Sequence, residues 1–184
     1  MSSLPTSLDA LLYELSEGGS FKYILFWGHQ PNRDGTIGKA CFSQWWPSSF
    51  SIQGVQYPTA EHYMMAEKAR LFEDSATEQK ILTAKSPGHA KRLGREVSGF
   101  SQGIWETERV AIVRRANIEK FGQNKALGTF LQGTSQRILV EASPPDKVWG
   151  IGLPTDDPNA SNPVKWRGLN LLGFALMQAR EHLA

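Results

Sequence analysis

The segment Tyr57–Phe72, YPTAEHYMMAEKARLF, holds the most suggestive pairing of an acid with an amine in the chain. Glu61 and Lys68 are seven positions apart. Seven helical steps turn through about 700°, so the two side chains face the same way to within about 20°, about 10 Å apart along the axis. Met64, Met65 and Phe72 lie around that face. Lys68 has no acid three or four positions away in either direction, whereas Glu67 and Arg70 are spaced to pair on the solvent side. A lysine in an apolar stripe without a partner suffers a desolvation penalty that lowers its pKa. Once neutral, such an amine adds to a sugar carbonyl and forms a Schiff base. Glu61 falls in the first helical turn, where the macrodipole favours the carboxylate while burial favours the acid. That competition leaves a carboxyl poised for proton transfer. The rival reading is that Lys68 snorkels to water and Glu61 merely complements the dipole.

Other residues signal less. Trp45 and Trp46, in SQWWPSSF, either stack on a nucleobase or fill the core. Trp149-Gly150-Ile151-Gly152 bends the chain beside an aromatic, but no further glycine and helix follow to make a dinucleotide fingerprint. Asp156 and Asp157 suit a turn, and Asn170 is either a helix cap or a ligand donor. Lys91, Arg92 and Arg95 form a solvated helix face able to attract a phosphate. The four histidines show no metal-ligand spacing and Cys41 stands alone, so neither a metal nor another cofactor is expected. No G-x-S-x-G elbow is present.

Around these residues the hydrophobic pattern alternates short strands with many helices. Leu8–Leu15 reads as a short helix in an N-terminal appendage, residues 1–20, ahead of a domain spanning 21–184. Lys22–Trp27 is the first strand, Gly28–Ala40 a long loop, and Ser51–Tyr57 a hairpin around Gln53-Gly54. Helices follow over Thr59–Phe72, over Ser75–Ala84 with Ser75 and Glu78 as a capping box, and from Ser86-Pro87 to Gly94. Two more cover Glu106–Phe121 and Asn124–Leu131. Gln136–Glu141 is a strand, Val148–Leu153 a strand end or glycine-rich turn, Pro154–Pro163 a loop, and Leu169–Leu183 the closing helix. The class is α+β. With 184 residues and a net charge of +2, the chain suits one domain without a strong field for membranes or long nucleic acid. No run approaches the roughly 20 apolar residues of a membrane helix, and the N-terminus lacks a secretory pattern. A monomer in the cytoplasm, with no membrane partner, is the expectation.

In several of these segments the sequence resembles the NADAR, or YbiA-like, family. The resemblance runs from Ile24 to Leu183. It is carried by FWGH at Phe26–His29, SQWW at Ser43–Trp46, the Tyr57–Phe72 segment, AKRLGR at Ala90–Arg95, VWGIGL at Val148–Leu153 and WRGLNLLGFALM at Trp166–Met177. It implies a compact helix-rich α+β domain with a small β-sheet, and cleavage of the N-glycosidic bond between a ribose and a base-like amine. It makes Lys68 the nucleophile at the anomeric carbon and Glu61 the proton donor and acceptor. Around the ligand it implies Phe26, Trp27, Gly28, His29, Ser43, Trp45, Trp149, Gly150, Asp157 and Asn170. Two substrate classes attach to the family: ADP-ribose joined to guanine in nucleic acid, and phosphoribosylaminopyrimidine intermediates of riboflavin synthesis. Many members carry Ser-Asn-Phe where this chain has Ser43-Gln44-Trp45, a difference on the base-recognition side. The second domain of some riboflavin-related members is missing from this sequence, which favours an ADP-ribose-type ligand, on DNA, RNA or free nucleotide. A non-catalytic ADP-ribose-binding module is the reading from another class.

Overall fold

The computed structural model describes residues 4–184, so the first three residues of the expected appendage lie outside the description. The elements run α1 (Leu8–Ser16), β1 (Tyr23–Phe26), a 3-10 turn (Lys39–Phe42), β2 (Phe50–Ile52), β3 (Val55–Tyr57), α2 (Ala60–Leu71), α3 (Ser75–Leu82), α4 (Pro87–Gly94), α5 (Gln102–Gln123), α6 (Lys125–Gln132), β4 (Ile138–Glu141) and α7 (Leu171–His182). This is the expected helix-rich α+β order. β1 and β4 pair in parallel, Tyr23 beside Ile138 and Phe26 beside Glu141, with the entire helical middle as their crossover. β2 and β3 form the hairpin, turned by Gln53 and Gly54, both at positive φ, as a tight two-residue turn requires. Val148–Leu153 makes no strand; Ile151 N–H donates to the Glu141 carbonyl at 2.9 Å and follows the end of β4.

Local chemistry sets the helix ends. Thr59 Oγ1 accepts the His62 N–H at the start of α2, and Ser86 caps α4 ahead of Pro87. The capping box expected at Ser75 is replaced by Asp74, which accepts the N–H groups of Thr77 at 3.0 Å and Ser98 at 2.9 Å. Those two donors hold the Asp74 carboxyl well below the usual range. α5 begins at Gln102 rather than Glu106 and spans 22 residues, which brings Trp105 onto its inner face.

The core lies between α2, α5, α7 and the β1–β4 pair, with Val113, Ala116, Leu139, Ala175 and Leu176 at 0% exposure. The helix expected as an appendage is part of this unit: Leu11 on α1 is also fully buried, and Leu4 and Leu8 pack beside it. Burying one leucine is worth about 1.5–3 kcal/mol, enough to hold a short helix down.

Two buried polar residues tie loops to this core. Lys120 of α5 donates to the carbonyls of Cys41 at 2.6 Å and Ser43 at 2.8 Å, and burial pushes its pKa down to about 7. Asn170, at φ 54° just before α7, splices onto β4: its Oδ1 accepts the Glu141 N–H and its Nδ2 donates to the Leu139 carbonyl, each at 2.9 Å. Next to it a Cβ at Gly173 would stand 2.0 Å from the Leu139 carbonyl oxygen, so only glycine lets α7 lie this close. Asn170→Ala strands both β4 groups and is expected to cost about 2–4 kcal/mol in urea unfolding. Asn170→Gly, free of the left-handed strain, should recover about 1 kcal/mol of that loss.

Candidate active site

A cavity of about 860 Å³ opens between α2, the C-terminal end of α4, the first turns of α5 and the loops after β1 and β4. That volume is within the range of small-molecule sites. Glu61, Met64, Met65 and Lys68 of α2 all line it, as their helical spacing requires.

Lys68 is half-buried. Its Nζ donates to the Gly94 carbonyl at 2.7 Å, lies 4.2 Å from the centre of the Phe100 ring and 5.7 Å from that of Trp105. No carboxylate pairs with it; the ion pairs among the described residues belong to Arg70, with Glu67 and Glu78, and to Arg109, with Glu106. The partner is therefore a carbonyl that the end of α4 leaves free. Burial lowers the pKa of Lys68, and Arg95 adds to the effect. An amine can donate one N–H to Gly94 and keep its lone pair for an electrophile. Phe72, expected beside this stripe, packs edge-on against Phe100 at 5.3 Å.

Glu61 is almost wholly buried, and its Oε1 has no hydrogen-bond partner. Burial lifts its pKa to about 7, with Lys91 and the Trp45 indole pulling down, Asp146 pushing up and Arg95 pulling down. The carboxyl is thus able to give and regain a proton near neutrality.

The other expected residues divide into two groups. Trp27, Gly28, His29, Ser43, Trp45 and Trp149 line the same cavity as Lys68 and Glu61. Trp27 is 56% exposed at the edge, and the His29 and Trp45 rings lie 5.4 Å apart. Four residues lie elsewhere and do structural work. Phe26 packs in the core against Phe42. Gly150 is buried where a Cβ would meet the Glu141 carbonyl oxygen at 2.7 Å. Asp157 accepts the Asn159 N–H in its own turn, and Asn170 is the splice onto β4. Lys91 and Arg95 reach the cavity while Arg92 remains on the exposed face.

Trp105, Arg109, Glu141, Asp146 and Lys147 also line the cavity, and sequence reasoning did not find them. Trp105 and Arg109 are four apart, a spacing that puts both on one face of α5. Glu141 could have been noticed as a charge ending an otherwise apolar strand. Asp146 spends its Oδ1 on the N–H groups of Val148 and Trp149, orienting the Trp149 wall.

A family model described as the NADAR domain matches residues 25–184. The chain belongs to the NADAR family. It is 41% identical over 165 residues to an N-glycosidase of Acanthamoeba polyphaga mimivirus, covering 87% of this chain and 95% of that one. It is 34% identical over 139 residues to the N-glycosidase YbiA of Escherichia coli, covering 76% and 77%. A riboflavin biosynthesis protein of Vibrio vulnificus is 33% identical over 141 residues, which span 77% of this chain and 35% of that protein. The NMR structure of E. coli YbiA matches with a TM-score of 0.67 at 29% identity, over 90% of this chain and 86% of that one. The NADAR fold expected from the sequence is the fold observed.

Glu61 binds its proton more tightly folded than unfolded. The stability linked to that proton is full at low pH and is lost as pH rises through about 7. Glu61→Gln should therefore unfold much like the parent near pH 5 and become the more stable protein by pH 9, by on the order of 3 kcal/mol. Urea unfolding across that range measures it, and a pH-independent difference would show that the carboxyl is not held as described.

Proposed function

We propose that this NADAR protein hydrolyses the N-glycosyl bond between ribose and guanine in ADP-ribosylated guanine, through a Schiff base on Lys68. The observation that carries the reading is one cavity lined by an amine free of any carboxylate and by a buried acid that titrates near neutrality. Curated relatives named N-glycosidases support hydrolysis at an N-glycosyl bond.

In the reaction, Lys68 forms a bond to C1 of the ribose as the bond from C1 to the base nitrogen breaks. Glu61 gives the departing nitrogen a proton, and its carboxylate takes one back from the alkylated amine. The ring oxygen then leaves C1 with a proton while the nitrogen lone pair closes a C=N bond. Water adds to that carbon, the amine departs, and ADP-ribose and Lys68 are released. Catalysis of this kind needs no metal or other cofactor.

The cavity also carries Lys91, Arg95, Arg109 and Lys147, enough cations to attract a diphosphate. Trp27, Trp45 and Trp149 supply stacking surfaces for bases. These features favour an ADP-ribose-type ligand, and the low net charge favours a single modified nucleotide over a long duplex footprint. The reading takes the protein as a cytoplasmic monomer acting on ADP-ribosylated DNA or RNA, or on the free nucleotide. Among the described residues no helix is long and apolar enough to cross a membrane. A second reading, N-glycoside cleavage of phosphoribosylaminopyrimidines, is favoured by the likeness to the riboflavin biosynthesis protein.

Borohydride added during turnover of ADP-ribosylated guanosine should trap an ADP-ribosyl adduct that peptide mapping places on Lys68. Lys68→Ala should lose about a thousandfold in rate, about 4 kcal/mol. An unaffected Lys68→Ala would remove the nucleophile from the mechanism. Turnover of the pyrimidine about tenfold faster than that of the guanosine conjugate would establish the second reading. Binding of ADP-ribose with no base released after hours would leave a binding module.

A further inference from the structure

Glu141 closes a strand whose other residues, Ile138, Leu139 and Val140, are fully buried. A carboxylate in that position is costly unless it is paired or used. Its backbone is fixed on both sides: the N–H donates to Asn170 Oδ1 and the carbonyl accepts from Ile151 N, each at 2.9 Å. Held in this way, the side chain lines the Lys68 cavity from the β4 wall, with Oε2 closed to solvent and without a hydrogen-bond partner. Glu61 Oε1, on the α2 wall, is in the same condition. Neither acid takes part in an ion pair among the described residues. Two walls of one cavity each hold a carboxyl with one oxygen closed to solvent and unpaired.

The reaction proposed above needs more proton transfers than the one that frees the base. The ring oxygen must receive a proton when the sugar opens, and water must lose one when it attacks the imine. Glu61 and Trp45 line the cavity together, and the indole lowers the Glu61 pKa, so the proposed stacking of the base on Trp45 puts the departing nitrogen on the Glu61 side. We infer that Glu141 is a second catalytic carboxylate, which serves ring opening and imine hydrolysis while Glu61 serves departure of the base. The inference rests on that proposed reaction.

Glu141 enters the cycle protonated. Burial raises its pKa to about 8; Asp146 adds to this, Lys91 opposes it and Glu61 adds again. It gives its proton to the ring oxygen as the C1–O bond breaks and the nitrogen pair forms C=N. The resulting carboxylate stands beside a cationic imine. As the water oxygen bonds to C1 and the C=N pair returns to nitrogen, the carboxylate takes one water proton and hands it to that nitrogen. When the C1–N bond breaks, the new hydroxyl becomes the aldehyde of the open sugar and its proton restores the Glu141 acid.

Glu141→Gln keeps the shape of the side chain and removes the proton. With ADP-ribosylated guanosine, its first turnover should release guanosine within about threefold of the parent rate, while steady turnover falls about a hundredfold, within the usual span for a lost acid–base group. The release trace should show a burst equal to the enzyme present. Intact-mass spectrometry after acid quench should find the sugar still on Lys68. Glu61→Gln should instead slow the first turnover and show no burst. Glu141→Asp, which keeps the acid on a shorter arm, should fall between the parent and Glu141→Gln, and it carries the test if the Gln variant does not fold. First and later turnovers of the Glu141 variants falling together, with no accumulated adduct, would overturn the inference and leave Glu141 a structural group. An unchanged steady rate would overturn it as well. A parent enzyme that releases guanosine without any Lys68 adduct would refute the proposed reaction, whatever the variants do.

Discussion

Opposite charges in this cavity are close enough to feel one another and yet do not close into an ion pair. Lys68 is satisfied by the carbonyl of Gly94 and by aromatic faces, and Glu61 has Lys91 and Arg95 only in its wider field. Had the amine and an acid met directly, each would have been locked in its charged form. Burial would then have been unable to move either pKa toward neutrality. The separation is a matter of helix geometry: two turns of α2 keep Glu61 and Lys68 on one face but out of reach along the axis.

The surrounding fold maintains that separation. α4 and α5 bring the Gly94 carbonyl, Phe100 and Trp105 over the lysine. The parallel β1–β4 pair sets the opposite wall, and Asn170 pairs with β4 at Leu139 and Glu141, which ties down the Glu141 backbone. Lys120 secures the Cys41–Ser43 segment that carries Trp45 toward the cavity. Two of the buried polar residues, Lys120 and Asn170, thus serve to hold cavity walls.

The α2 part of the site was legible because period and residue type agree: one helix, one face, an acid and a lysine among methionines. The exposed Trp27, the half-buried Trp149 and the loop residues Gly28 and Ser43 were recoverable from the family resemblance. What misled was proximity in sequence. Phe26 adjoins Trp27, but neighbours along an extended chain point to opposite sides and Phe26 faces the core, while Gly150, beside Trp149, is packed against the Glu141 carbonyl. Asn170 has the donor chemistry of a ligand contact and spends all of it on β4. Arg109, Glu141 and Asp146 were hidden for the converse reason. Local pattern marks the charge that ends β4 and the α5 face of Arg109, but not the tertiary packing that brings each to the cavity, which for Glu141 is a strand register set more than a hundred residues from its partner β1. α3 starts at Ser75 as expected, but its cap is Asp74, which accepts from Thr77 and reaches Ser98 as well.

Gly94 has a consequence for the width of the site. A methyl group there would stand 2.1 Å from the Met65 sulfur and 3.0 Å from its Cγ. Any larger residue would either drive the thioether into the space above the amine or prise α4 away and withdraw the carbonyl that steadies it. The aperture available to a sugar is thus gauged by a missing side chain on a neighbouring helix.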